Sequence, residues 1–241
     1  MRRARSVPYY PAFLDLLDRR VVVVGGGEIA TGKVRGLLAC RPSPLVVIAP
    51  EVSAEIGERA AAGQLTWLPR AYRDGDLAGA DLAFGASDDR CVNAQVAAEA
   101  RRRGVPVLAV DDVDNCDFIA PALVRRGDVV IAVSTGGRSP AMARRAREQL
   151  DRLVPAHWGA LLDVAATARE RLGGQRVPPE VWQRALDIDL EELVIAGETE
   201  AAVACLLARL VAPGPLGPFS RGRCAPLDPP LKGVIEGGVH A

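Results

Sequence analysis

Over residues 21–110 the chain alternates short, apolar runs with longer stretches of helical periodicity. The apolar runs are RVVVVGG, PLVVIAP, QLTWLP, DLAFGAS and VPVLAVDD, all rich in Val, Leu or Ile. Between them lie EIATGKVRGLLAC, SAEIGERAAAG and DDRCVNAQVAAEARRRG, with helical spacing and Ala-rich interiors. Runs that are apolar throughout suit strands buried on both faces, and strands joined through helices run parallel. The pattern predicts an α/β fold, a parallel sheet covered on both sides, with ligands bound at the carboxyl ends of its strands.

The pattern changes after residue 116. DFIAPALVRRGDVVIAVSTGG (Asp117–Gly137) holds two apolar runs separated by RRGD, which predicts an antiparallel pair with Gly127 easing the turn. RSPAMARRAREQLDRL then reads as a helix, with Ser139 as N-cap and Pro140 in the first helical position. Residues from about Pro155 to Val211 show helical periodicity only, and a small helical domain is expected there. From Pro213 onward the chain is rich in Pro and Gly, and this tail is expected to be poorly ordered.

Composition narrows the picture. A chain of 241 residues accommodates one medium domain and a smaller one. Aromatics are only 4%, so the core must be built from Ala, Val, Leu and Ile. Lys plus Arg (30) balances Asp plus Glu (30), which argues against a dedicated nucleic-acid binder. The five cysteines are odd in number and form no CxxC pair, unlike a disulfide framework or a zinc site. His157 has no second His or Cys at metal spacing, so no metal site is expected. No signal-type apolar core and no run long enough to cross a bilayer is found, so the expectation is a soluble cytoplasmic protein without a membrane partner.

The candidate chemistry begins at VVVVGGGEIATGKV. Gly25-x-Gly27-x-x-Ala30 follows the dinucleotide-binding pattern G-x-G-x-x-G/A. Gly25 allows the tight turn off the strand, and Gly27 has no side chain to block a pyrophosphate. Ala30 lets the helix pack close to the sheet, and the helix N-terminus offers free N–H groups to phosphate. The acid expected after the second strand is Glu51, just past Pro50, which either touches a ribose or opens the next helix. No Arg or Lys follows that strand closely, which favours a non-phosphorylated ribose and hence NAD. Ser87 and Asp88 end the fourth strand, where they either cap the next helix near Asp89 or contact the nicotinamide half.

FLDLLDRRVVVVGGGEIATGKVRGLL, VVIAPE, GASDDRCVNAQV and VDDVDNCDFIAPALVRRGDVVIAVSTGGRSPAMARRAREQL together resemble the precorrin-2 dehydrogenase/sirohydrochlorin ferrochelatase family of sirohaem biosynthesis. The resemblance covers about residues 8–155 and, more loosely, the helical part. It implies a Rossmann-type NAD-binding domain (1–117), a dimerisation segment of hairpin plus helix (118–152) and a helical domain (153–212), ahead of the tail (213–241). It also implies a homodimer, an NAD-linked oxidation of precorrin-2 to sirohydrochlorin and, in some members, insertion of Fe²⁺. Iron would then be a transient substrate held mainly by the macrocycle.

Carried over by resemblance, the cofactor residues are Gly25, Gly27, Glu28 and Ile29 in the loop, with Pro50, Glu51 and Ser87. Asp111 takes the place of the family's catalytic aspartate, with Asp112 as the neighbour it is confused with. A carboxylate there suits an oxidation that removes a hydride and a proton, and equally the loss of two protons on metal insertion. Thr135 falls where the family often has a serine near the tetrapyrrole. Residues 121–150 hold six arginines against Asp128 and Glu148, and Arg138, beside the glycines, is the candidate for the carboxylates of the substrate. Gly32 stands where relatives more often carry a basic residue and is expected to weaken its helix. With no second large domain after residue 212, the fused methyltransferase of some relatives is expected to be absent. Two rival readings are an NAD-sensing regulatory module and a chelatase without dehydrogenase activity.

Overall fold

A computed structural model of the protein describes residues 9–211. The Pro/Gly-rich tail from Pro213 lies outside the described residues. The described residues divide into two compact units, 9–122 with 133–146, and 123–132 with 147–211.

In the first unit the alternating pattern becomes five parallel strands. β1 (Val21–Val24), β2 (Leu45–Ile48) and β4 (Leu82–Gly85) are buried along their whole length, as their unbroken apolar runs require. β3 (Thr66–Leu68) lies at one edge and β5 (Val107–Ala109) at the other, in the order β3-β2-β1-β4-β5. All four pairings are parallel. The order reverses between β1 and β4, and the crevice above such a switch point is where open α/β sheets bind ligands.

The helices α1 (Glu28–Leu38), α2 (Ala54–Ala61) and α3 (Arg90–Arg103) lie between the strands in sequence. Their buried residues join two clusters. Ala30, Val34, Leu37 and Ile56 pack with Val21, Val23 and Val47, while Val96, Ala97 and Ala100 pack with Val22, Val24 and Val46. Alternate residues of one strand thus feed opposite layers. Gly32 does not interrupt α1. Gly104 ends α3 in the left-handed region (φ 69°), the usual glycine stop.

The free edge of β5 is covered locally. The Asp117 amide donates to the Val107 carbonyl (2.8 Å), and the Cys116 thiol exchanges hydrogen bonds with the Ala109 backbone. Phe118 packs edge-on against Phe84, with ring centroids 5.5 Å apart.

The predicted hairpin is present as β6 (Ala122–Arg126) and β7 (Val129–Val133), joined by two residues with Gly127 at φ 57°. α4 (Pro140–Leu153) follows, with Pro140 first and the Ser139 Oγ accepting from the Met142 amide (3.2 Å). In the second unit α5 (Trp158–Arg171), α6 (Pro179–Ala185), α7 (Ile188–Ile195) and α8 (Thr199–Val211) bury one core that includes Val164, Ala168, Leu190, Val203 and Leu206. Among the described residues no helix is long and apolar enough to cross a membrane.

Candidate functional site: a dinucleotide cleft

A cleft of about 430 Å³ opens at the carboxyl ends of β1, β2 and β4. Its floor is the glycine loop, one wall is Ile48 to Glu51, and another is Ala86 to Asp89. Five of the seven expected cofactor residues, Gly25, Gly27, Pro50, Glu51 and Ser87, line it together. Glu28 and Ile29 open α1 just beyond the lining.

The three glycines have different physical reasons. Gly25 holds φ 127°, and a Cβ there would meet the Ala86 carbonyl oxygen at 2.2 Å. Gly26, outside the fingerprint, is equally obligatory because a Cβ would sit 2.0 Å from the Glu51 carbonyl oxygen. A Cβ on Gly27 would meet nothing within 4 Å. Gly27 is therefore not needed for packing of the protein against itself, and the open space beside it suits a pyrophosphate. Gly27 is also the N-cap of α1, with no side chain capping the helix, so the first-turn amides are open to an anion. The residues present fit a dinucleotide.

The loops around the cleft are tied together. The Ser53 amide donates to the Gly26 carbonyl (2.9 Å), and the Ser53 and Thr31 hydroxyls share a hydrogen bond (2.8 Å). Ser53, not Glu51, caps α2, accepting from the Ile56 amide (3.3 Å). Of the two roles open to Glu51, opening the helix is thus taken by Ser53. The Glu51 side chain makes no hydrogen bond or ion pair among the described residues and is exposed in the cleft. Trp67 steadies the same wall by donating from Nε1 to the Ala49 carbonyl (2.9 Å).

On the opposite wall the cap is one residue later than the expected Ser87–Asp88. α3 begins at Arg90, and Asp89 is its N-cap, accepting from the Cys91 amide (2.7 Å). The Ser87 hydroxyl accepts from the Asp89 amide (3.2 Å). The buried Asn93 holds the Ser87 backbone from both sides: its Oδ1 accepts from the Ser87 amide (3.0 Å), and its Nδ2 donates to the Ser87 carbonyl (2.8 Å). Sequence reasoning missed Asn93; a polar residue on the buried face of an Ala-rich helix was the available signal.

Asp111 and Asp112, indistinguishable in sequence, separate in the structure. Asp112 begins a 3-10 turn (Val113–Asn115), and its carboxylate accepts from the Asn115 Nδ2 (2.6 Å). Asp111 is exposed, holds φ 59°, and its carboxylate has no partner among the described residues. The Val110 amide donates to the Gly85 carbonyl (2.8 Å), which places Asp111 at the carboxyl edge of the sheet, after β5. A non-glycine residue with a free carboxylate in the left-handed region is an outlier of the kind found at functional sites.

Thr135 and Arg138 do not line the cleft. The Thr135 hydroxyl donates to the Ser139 carbonyl (2.9 Å) and accepts from the Ser139 amide (3.2 Å), so it braces the turn into α4 and retains one lone pair for a ligand. Arg138 is exposed and has no side-chain partner among the described residues. Arg126 and Arg147 are engaged instead: Arg126 bonds Asp151 and the Asp151 and Val154 carbonyls, and Arg147 pairs with Glu148 and Asp151. His157 is the N-cap residue of α5, with its Nε2 3.1 Å from a Glu191 carboxylate oxygen.

A parallel sheet of order β3-β2-β1-β4-β5 with a glycine loop at its switch point defines a Rossmann-type dinucleotide-binding protein. Residues 12–122 match the family described as putative NAD(P)-binding, and residues 126–153 match the central region of sirohaem biosynthesis proteins. The chain is similar to siroheme synthases and to a precorrin-2 dehydrogenase. It is 41% identical over 204 residues to a siroheme synthase of Methylococcus capsulatus, covering 83% of this chain and 43% of that protein. It is 38% identical over 231 residues to a siroheme synthase of Azotobacter vinelandii, covering 92% of this chain and 49% of that protein. The chain thus spans about half the length of the curated relatives it matches. The solved structure of SirC, a precorrin-2 dehydrogenase, superposes with a TM-score of 0.63 at 26% identity, covering 84% of this chain and 99% of that one.

Proposed function

We propose that the protein oxidises precorrin-2 to sirohydrochlorin with NAD⁺. The observation that carries this reading is the pairing of an uncapped glycine-loop cleft with a free, left-handed Asp111 at the same edge of one sheet. The names of the relatives, siroheme synthase and precorrin-2 dehydrogenase, supply the substrate class.

Bound NAD⁺ supplies a hydride acceptor. The first-turn amides of α1 and the bare Gly27 backbone would hold its pyrophosphate. Glu51 would accept from a ribose hydroxyl, while Pro50 and Ser87 bound the cleft. Asp111 would take up the proton that leaves the macrocycle, a role its unpaired carboxylate leaves open. Arg138 binds a substrate carboxylate, and Thr135 contacts the macrocycle's edge through its remaining lone pair. Iron insertion at the same carboxylate is the second activity we assign, with Fe²⁺ as substrate.

The domain plan follows the family: an NAD-binding domain (1–117), a dimerisation segment (118–152) and a helical domain (153–212). A homodimer is supported by α4, which buries no residue within the chain and leaves Met142 54% and Leu153 75% exposed. The free thiols of Cys40, Cys91 and Cys116 suit a reducing cytoplasm.

The test is anaerobic incubation of the protein with precorrin-2 and NAD⁺, without metal, following the absorbance of sirohydrochlorin. Turnover by the wild type and none by Asp111→Ala supports the reading. A rate independent of NAD⁺ overturns it in favour of a chelatase or a regulatory module. Addition of Fe²⁺ to the product then reads iron insertion.

A further inference from the structure

Among the described residues, the only charged one of the largest fully buried side chains is Glu99, on α3, with a relative exposure of 0%. The proposed chemistry does not use it. Its carboxylate accepts from the Tyr72 hydroxyl, the Gly75 amide (3.0 Å), the Leu77 amide (3.2 Å) and the Arg103 Nε (2.5 Å). Three of those donors lie on the segment between β3 and β4. The same segment is cross-braced by Arg70, whose guanidinium donates two 2.7 Å hydrogen bonds to Asp76. One buried charge therefore sets the shape of a stretch that has no regular structure between residues 69 and 81.

That stretch reaches the cofactor cleft. Ala71 and Tyr72 line it, together with Pro50 and Val92. Phosphate-binding amides lie on the glycine-loop side, whereas Pro50, Ala71, Tyr72 and Val92 give apolar surface suited to a flat heteroaromatic base. The tyrosine hydroxyl is bonded to Glu99, which leaves the ring to form the wall. Burial, reinforced by the Glu99 hydrogen bond, pushes the Tyr72 hydroxyl well above its ordinary value, so it remains a donor across the working pH range.

We propose that Tyr72 forms the adenine-side wall of the cleft and that buried Glu99 is the positioning residue that fixes its ring. The inference rests on the dinucleotide reading of the cleft. A base packed against an aromatic edge and a proline is held by shape, and the hold is lost when the ring is free to swing.

The experiment is titration of the full chain with ADP-ribose, followed by steady-state kinetics with NAD⁺. Tyr72→Phe keeps the ring and removes its anchor. It is expected to raise the Kd for ADP-ribose and the KM for NAD⁺ about three- to tenfold, with kcat and the KM for precorrin-2 unchanged. Arg103→Gln removes a donor from Glu99 without touching Tyr72. It is expected to lower Tm and leave the ADP-ribose Kd unchanged. Equal Kd values for wild type and Tyr72→Phe would overturn the proposal, as would equal weakening by Arg103→Gln, which would make the network merely structural. Failure of the wild type to bind ADP-ribose at all would instead overturn the dinucleotide reading itself.

Discussion

Gly26 and Glu51, the first in the turn after β1 and the second after β2, approach so closely that a methyl group on Gly26 would lie 2.0 Å from the Glu51 carbonyl oxygen. Neighbouring Gly27 faces open space. The two glycines therefore divide the work of the loop: one lets two turns pack, and the other leaves room for a ligand. Gly26→Ala should lower stability by about 1–3 kcal/mol, the range for overpacking a close contact. Gly27→Ala should melt like the wild type but bind NAD⁺ at least about tenfold more weakly, a loss of about 1.4 kcal/mol. Thermal melts with and without NAD⁺ read both effects, and matching behaviour of the two variants would contradict the division.

Asp111 and Asp112 should separate in kinetics as they do in geometry. Asp111→Asn is expected to lower kcat by about 10²–10⁴, the range for loss of a general base, with Tm unchanged. Asp112→Asn keeps an oxygen for Asn115 and should retain turnover. Asp111→Gly removes the side chain from a backbone at φ 59° and should raise stability by about 1 kcal/mol while abolishing turnover. A variant more stable yet inactive would show that a side chain needed for turnover is kept at a cost in stability.

The buried carboxylate gives a pH prediction. Burial alone would raise the Glu99 carboxyl, but hydrogen bonds from Tyr72, Gly75, Arg103 and Leu77 together hold it below its ordinary value. A carboxyl lowered by folding binds fewer protons in the native than in the unfolded state. Its stabilisation is therefore complete above the unfolded value, about pH 4.3, and is lost as pH falls through the lower native value. Glu99→Gln should cost about 3 kcal/mol at neutral pH, because donors are left facing an amide group. Its Tm should also fall less steeply than that of the wild type on acidification below about pH 4.3. Parallel Tm profiles would show that Glu99 is not responsible.

Two arginines from the same basic stretch should behave oppositely. Arg126 donates to Asp151 (3.0 Å) and to the Asp151 and Val154 carbonyls (2.7 and 3.2 Å). Arg126→Ala should cost about 2–3 kcal/mol, as expected for charged hydrogen bonds lost from a partly buried site. Arg138, exposed and unpartnered among the described residues, should tolerate Ala within about 0.5 kcal/mol. If it binds a substrate carboxylate, the KM for precorrin-2 should rise about tenfold, which corresponds to one charge-assisted hydrogen bond. Denaturant melts and steady-state kinetics on both variants test the contrast.

Much of the molecule was legible because its causes are local. Unbroken Val and Leu runs state burial on both faces, and β1, β2 and β4 are buried throughout. Ser139-Pro140 announces the start of α4, and Gly127 the turn between β6 and β7. The glycine fingerprint located the cleft, since its requirement is a backbone property of a few consecutive residues. Helix caps were legible only to within a residue: Asp89, not Ser87 or Asp88, caps α3, because the choice depends on which oxygen reaches the Cys91 amide.

What tertiary structure alone decided are relationships between residues distant in sequence. The necessity of Gly26 comes from a carbonyl 25 positions away. The surroundings of Asp111 and Asp112 differ because Asn115 engages one carboxylate and leaves the other free. Glu99 and Tyr72, 27 residues apart, are joined by a hydrogen bond, and only Tyr72 lines the cleft. The sequence determined which elements form and which loop lines the cleft, since hydrophobic period and backbone freedom are written in short stretches. Which side chain is free to act and which is committed to holding the fold was settled by packing, because a hydrogen-bonding group is spent or spared only once its neighbours in space are known.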